Sequence, residues 1–256
     1  FFNTGSIVLN FLTMVRTPCL FVNHGGGPMP LFGADDATAA DLRRIAARVA
    51  LPSQPTPTAM LVISAHWEAS PLRVTSSPAP TMLYDYSGFP PETYAYRYAA
   101  PGSPSLAARV VSILNDAGHA CVGDDDRGFD HGVFVPLMLA FPEATIPIVV
   151  LSLAIGMDAA KHLAMGRALA PLRDEGVCIL GSGSSFHNMP AMMSRMGRHG
   201  GSTGDDPPPG KPFDDALVAA CTANNSALER ASALASWNSF PGARDAHPPR
   251  RTEVSE

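Results

Sequence analysis

Cysteine is scarce in this 256-residue chain, and none of its four cysteines stands in a motif. Cys19, Cys121, Cys178 and Cys221 are far apart with no CxxC pair, which excludes a thiolate zinc cage and a dithiol redox centre. Cys19, Cys121 and Cys178 lie in or beside apolar runs and read as small buried hydrophobes, and a reducing, cytoplasmic compartment is expected. Charge is also sparse. Only 16% of residues are charged, the net charge is −5 and no dense Lys/Arg run occurs, so nucleic acid is not an expected partner. No apolar run reaches the ~20 residues that cross a bilayer, and no membrane partner is expected. Residues 6–15 are apolar but short and lack a basic leader. Because Met14-Val15-Arg16-Thr17-Pro18 reads like a natural start, residues 1–13 are expected to be an extension. The HExxH helix, the phosphate loop ending in GK[ST] and the G-x-G-x-x-G turn are all missing.

What is present is a core. At 46% hydrophobic, the chain fits one large α/β domain over 14–256. Short apolar runs predict strands at 19–23, 59–64, 72–75, 119–122, 146–153 and 177–180. Helical spacing predicts helices at 35–49, 105–117, 134–141, 159–173 and 213–235, while 197–212 is a Gly/Pro/Asp-rich spacer. The alternation implies three layers, α/β/α, around a largely parallel or mixed sheet. Between 78 and 101 the chain is rich in Tyr, Pro and Gly without a period; irregular stretches of that length are more often functional than not.

Ligands of open α/β sheets bind beyond the carboxyl ends of the strands, which makes strand exits the place to look. His24, His66 and His187 each follow a predicted strand, and His131 lies in the loop Gly128-Phe129-Asp130-His131-Gly132. Imidazole is both the commonest transition-metal ligand and the usual base near neutral pH. Gly25, Gly26 and Gly27 allow close backbone approach to a ligand, although a tight turn would need them equally. Glu68 and Asp130 are candidates to orient an imidazole. Neutral imidazoles with at most one carboxylate suit Fe(II) or Zn(II) better than Mg(II) or Ca(II).

Five segments occur in a telling order: His24-Gly25-Gly26-Gly27-Pro28, Ser64-Ala65-His66-Trp67-Glu68, Tyr84-Asp85-Tyr86-Ser87-Gly88-Phe89-Pro90-Pro91, Gly128 to Gly132, and Gly181-Ser182-Gly183 with His187-Asn188. Together they resemble the class III extradiol ring-cleavage dioxygenases (LigB-like), in particular the 4,5-DOPA dioxygenase branch. The likeness runs from about Thr17 to Asn188 and resumes weakly near Trp237. It implies a LigB-like α/β domain with one Fe(II), Zn(II) being possible, and a catechol and O2 as the reacting small molecules. His24, His66 and His187 would form the metal set, with His187 also the acid/base and His131 a second catalytic group touching substrate. Tyr84, Phe89, His131 and His247 are expected to bind substrate, with Tyr86 and Tyr94 further candidates for the pocket wall. The C-terminus departs from the pattern. His247-Pro248 is present, 249–255 reads as an insertion, and the Glu-His pair, apolar helix and strand that follow in the family do not appear before Glu256. The remaining ligand is therefore open among His247, Glu253, Glu256 and a residue beyond the end. Two other functions fit the same residues: a zinc enzyme on this scaffold, and a metal-binding interaction protein without catalysis.

Overall fold

A computed structural model describes residues 16–49, 56–196, 210–223 and 226–248. The expected extension at 1–13 and the ligand candidates Glu253 and Glu256 lie outside them. Six strands form one sheet: β1 (Cys19–Asn23), β2 (Ala59–Ala69), β3 (Leu72–Thr75), β4 (Cys121–Asp124), β5 (Ile148–Ala154) and β6 (Val177–Gly183). Their order is β1-β6-β2-β5-β3-β4, parallel throughout except between β3 and β5. The helices are α1 (Asp36–Arg43), α2 (Ile45–Val49), α3 (Pro104–Asp116), α4 (His131–Ala140), α5 (Ala159–Leu169), α6 (Met189–Met196), α7 (Lys211–Thr222), α8 (Ala227–Ala235) and α9 (Ala243–Ala246).

Strands covered on both faces must be apolar on both, and successive residues of β2 enter opposite cores. Met60 and Val62 pack with Leu42 of α1, Val49 of α2 and Val133, Phe134 and Leu137 of α4. Leu61 packs on the other side with Leu106, Val110 and Leu114 of α3 and Met165 and Leu169 of α5. These are the three layers expected. A smaller cluster joins Phe213 of α7 to Ala243 and Ala246 of α9, against Phe186, Trp237 and Phe240.

Several boundaries differ from the expectation, each for a local reason. The helix expected over 35–49 breaks at Arg44, after a start capped by the Asp35 carboxylate on Thr38 N at 3.1 Å. The one expected over 213–235 is two, because Ser226 and Glu229 form a capping box that starts α8 afresh. β2 continues to Ala69, so His66 sits within the strand and not after it; the register with β5 slips between Ile63 and Glu68. α4 begins at His131, three residues earlier than expected. Cys19, expected to be buried, is exposed: β1 pairs with β6 and is the outer strand of the described sheet, leaving Phe21 64% exposed.

The 78–101 stretch is irregular, as its composition suggests, but internally tied. It holds a bridge from Met82 to Phe129 and a 3₁₀ turn at Pro91–Ala95. The Tyr84 hydroxyl donates to Tyr96 O and that of Tyr86 to Thr93 O, both at 2.7 Å. Tyr84 and Tyr86 then rest edge-on or tilted against Phe134 at 6.1 and 6.3 Å between ring centres. Phe134 thus connects the α4 start, the loop and the sheet, and it is fully buried. Phe134→Ala is expected to cost about 3–5 kcal/mol of stability. Urea unfolding of parent and variant measures it, and a difference below about 1 kcal/mol would show that this ring is not the connection between loop and sheet.

Candidate metal centre

The parallel run β1-β6-β2 brings its carboxyl ends to one edge. His24 directly follows β1, and His66 lies in the far half of β2, where the ladder with β5 has slipped. His131 arrives from the start of α4, which packs on the same face of the sheet. Their ring centres are 4.9 Å (His24–His66), 5.1 Å (His24–His131) and 4.0 Å (His66–His131) apart. One nitrogen from each ring lies within 4.8 Å of the others, and His24 Nε2 is 3.0 Å from His66 Nε2. Two imidazoles bound at right angles to an ion with bonds of about 2.1 Å stand about 3.0 Å apart. The donor set and the spacing both fit a transition-metal ion.

Glycine makes this approach possible. A Cβ on Gly132 would meet Ser64 Oγ at 2.9 Å, Asp130 Oδ1 at 3.1 Å and His66 Cδ2 at 3.2 Å. Two of these neighbours belong to the network beneath the site. Asp130 is fully buried, accepting from Ser64 Oγ at 2.8 Å and from Arg127 Nη2 at 2.9 Å. Ser64 Oγ in turn accepts from His66 N at 3.2 Å. The Arg127 guanidinium also donates to His66 O at 3.3 Å and lies 5.0 Å over the Trp67 ring. The buried carboxylate is therefore paired, as a buried charge has to be.

The tautomer of His24 follows from proline chemistry two elements away. Pro136 lies inside α4 and has no N–H for the carbonyl of Gly132, four residues back. The Ser182 hydroxyl donates to that carbonyl instead. With its proton committed there, Ser182 Oγ can only accept from His24 Nδ1, 2.9 Å away. His24 is thereby Nδ1–H, and Nε2 carries its lone pair. On the other ring, Asp85 Oδ1 accepts from His131 Nδ1 at 2.8 Å and from His131 N at 2.9 Å. A carboxylate only accepts, so the Nδ1 of His131 carries a proton and its Nε2 is the atom turned to the other two rings. Asp85 Oδ2 stands 3.8 Å from His66 Nδ1.

Electrostatics keep His24 and His66 neutral and Asp85 ionised. Burial, then the neighbouring His131 and His66, push His24 down to about 3. His66 is lowered as well, by burial first and by His131 next, against opposition from Asp85 and Asp130. Burial raises Asp85, but the hydrogen bonds and charge of His131 outweigh it and bring the carboxyl to about 2. Neutral imidazoles are the form a metal needs.

Of the residues expected from the sequence, His24, His66 and His131 meet, and among the described residues His187 is not part of that group. His187 is exposed beyond β6, tied by its backbone N to Ala246 O at 2.9 Å, and stands within electrostatic reach of His24, His66 and His247. Tyr86 reaches the cluster, 6.1 Å from His131, and Phe89 packs on Tyr86 at 5.5 Å. Tyr84 lies behind Tyr86 at 6.2 Å. His247 contacts Ser185 O through Nε2 at 2.9 Å and lies edge-on to Phe213 and Trp237, so its ring is engaged in the small C-terminal cluster. Sequence reading missed Ser182, Asp85 and Arg127 as supports, although Asp85 and Ser182 fall inside quoted motifs.

Comparison with known proteins identifies a family for the chain. Residues 20–232 match the family described as the catalytic LigB subunit of aromatic ring-opening dioxygenase. The chain belongs to the LigB family. One LigB relative, the dioxygenase tasH of Hapsidospora irregularis, is 39% identical over 94% of this chain and 75% of its own length. The 4,5-DOPA dioxygenase extradiol of Beta vulgaris is 44% identical over 65% of this chain, and that of Escherichia coli K12 is 37% identical over 70%. These alignments span 61% and 63% of those two relatives. A crystal structure of an uncharacterized Escherichia coli K12 protein superposes with a TM-score of 0.69 at 31% identity, over 91% of this chain and 84% of that one. Among the described residues of this LigB chain, no helix is long and apolar enough to cross a membrane.

The depressed His24 value has a measurable consequence. An imidazole at about 3 when folded and ~6.5 when unfolded binds more protons unfolded, so stability is complete above 6.5 and declines as pH falls toward 3. Asp85, at about 2 against the usual 3.8, adds a loss in the same direction below 3.8. From pH 7.5 to 5.5 the His24 contribution alone is about 1.4 kcal/mol, roughly 2–4 °C in melting temperature. Thermal melts of metal-free parent and His24→Gln should show the parent falling more steeply. Parallel slopes would mean that His24 is not held neutral by the fold.

Proposed function

We propose that this chain is an extradiol dioxygenase that opens the ring of a DOPA-like catechol with O2 at an Fe(II) centre. The observation that carries this reading is the meeting of three imidazoles at the carboxyl edge of the sheet, in a LigB chain. The Beta vulgaris and Escherichia coli relatives are named as 4,5-DOPA dioxygenases, which supports the substrate class.

His24, His66 and His131 would hold the ion. Bound there, Fe(II) supplies Lewis acidity toward the diol oxygens and the redox chemistry that O2 requires. We assign His187 to proton transfer, although the family likeness also groups it with the metal set: it is exposed at the rim, within electrostatic reach of His24 and His66. His187 takes the second proton of the diol and returns it after cleavage. Tyr86 and Phe89 flank the approach to His131 and give the aromatic ring apolar contact. Cleavage beside the diol takes up both oxygen atoms and yields a muconic semialdehyde. The four unpaired thiols fit a reducing compartment, which we take to be the cytoplasm.

Anaerobic loading with Fe(II), followed by oxygen-electrode assays on a panel of catechols, tests the proposal. One O2 should be consumed per catechol, and His187→Ala should lower turnover by about 10²–10⁴ while retaining the metal. Tight metal binding with no oxygen uptake on any catechol would favour the zinc-enzyme or non-catalytic reading instead. Undiminished turnover by His187→Ala would remove His187 from proton transfer.

A further inference from the structure

The hydrogen bonds around the three imidazoles show which group must hold the outer proton of each ring. His24 Nδ1 donates to Ser182, so its Nε2 is a bare lone pair. His66 Nε2 lies 3.0 Å from that lone pair. An ion seated between the two nitrogens needs both lone pairs. The proton of His66 must then reside on Nδ1, and the charged group facing Nδ1 is Asp85, whose Oδ2 is 3.8 Å away. The same carboxylate already holds His131 through Oδ1, at 2.8 Å to Nδ1 and 2.9 Å to the backbone N.

We propose that Asp85 is a positioning residue for two imidazoles at once: Oδ1 fixes His131 as Nδ1–H, and Oδ2 faces the Nδ1–H that His66 adopts when its Nε2 takes a metal. At 3.8 Å the Oδ2 contact is longer than a hydrogen bond, so Asp85 acts on His66 Nδ1 through its charge. One carboxylate thereby couples the position of two ligands, and the Tyr-rich loop that carries it becomes part of the metal site. This rests on reading His24, His66 and His131 as the ion-holding set, but not on any dioxygenase activity.

The test uses Zn(II), which is diamagnetic, and the full chain labelled with ¹⁵N-histidine. Imidazole ¹⁵N spectra report which ring nitrogen bears the proton. In the Zn(II)-loaded protein both His66 and His131 should be Nδ1–H. Asp85→Ala should weaken Zn(II) affinity about 10–100-fold by competition titration, the range for removing a group that orients a ligand. Asp85→Asn separates the two roles. Its amide oxygen can still accept from His131, but its NH2 group, turned to His66 Nδ1, favours the Nε2–H tautomer. Affinity should therefore fall in Asp85→Asn while the His131 spectrum stays as in the parent. Circular dichroism confirms that both variants fold. The proposal is overturned if folded Asp85→Ala and Asp85→Asn bind Zn(II) like the parent, or if His66 is Nε2–H in the Zn(II)-loaded parent. Normal tautomers and affinities with no catechol turnover would instead count against the dioxygenase reading alone.

Discussion

Three imidazoles crowded around one point are not stable by themselves, and most of the site's architecture follows from that constraint. If protonated together they would repel one another, and burial penalises charge, so His24 and His66 are both pushed toward the neutral form. If neutral, each ring has one N–H and one lone pair, and every N–H turned away from the centre needs an acceptor behind it. Ser182 provides one for His24 and Asp85 one for His131. Such outer partners set ligand orientation and basicity as firmly as the ligands themselves. The strands matter because they deliver both sides of this arrangement. β1 leads into His24, β2 carries His66 and β6 carries Ser182, and these three are consecutive parallel neighbours in the sheet.

Beneath the imidazoles, a second balance is struck by Asp130. A buried carboxylate stripped of its partner costs about 3–5 kcal/mol, more than any exposed ion pair returns. Ser64 and Arg127 meet that demand, and each has a further contact with His66, through its backbone N and O respectively. The network that keeps Asp130 satisfied therefore also fixes the backbone of β2 where its register with β5 has slipped. A regular strand would turn successive residues to alternate faces with no freedom to aim His66. The irregularity supplies that freedom, and the Asp130–Arg127–Ser64 set removes the mobility that would otherwise accompany it.

How much of this the sequence discloses depends on the range of the interaction. The layers and strands are legible because burial on both faces forces unbroken apolar runs such as residues 59–63 and 148–151. The four histidines stand out because imidazoles beside strand ends are uncommon and chemically pointed. Their grouping is less legible: His131 stands on a helix start and not at a strand exit, and its place beside His24 comes from α4 packing across the sheet. The supports are the least legible of all. Ser182 and Asp85 look like ordinary loop residues until Gly132 O and His131 Nδ1 are seen opposite them, contacts that span 50 and 46 positions of sequence. Pro136 shows the limit plainly. In sequence it reads as a helix defect, whereas in space the carbonyl it leaves free receives the hydroxyl that sets the tautomer of His24.

The Tyr-rich loop completes the site in a way its composition does not suggest. Tyrosines near a binding centre invite the idea of hydroxyls reaching to a ligand. Here the Tyr84 and Tyr86 hydroxyl protons are committed to Tyr96 O and Thr93 O, and Arg97 also contacts the Tyr84 oxygen. What these residues turn toward their neighbours is ring surface, stacked edge-on through Tyr86 to Phe89 and His131. Ring faces and edges select for an aromatic guest but carry little polar information. Discrimination among such guests then falls to the groups at the centre, where Asp85 stands charged beside the imidazoles. A carboxylate so placed disfavours a second anion near His131 and His66, which makes the loop a filter on charge as well as the support for the two rings.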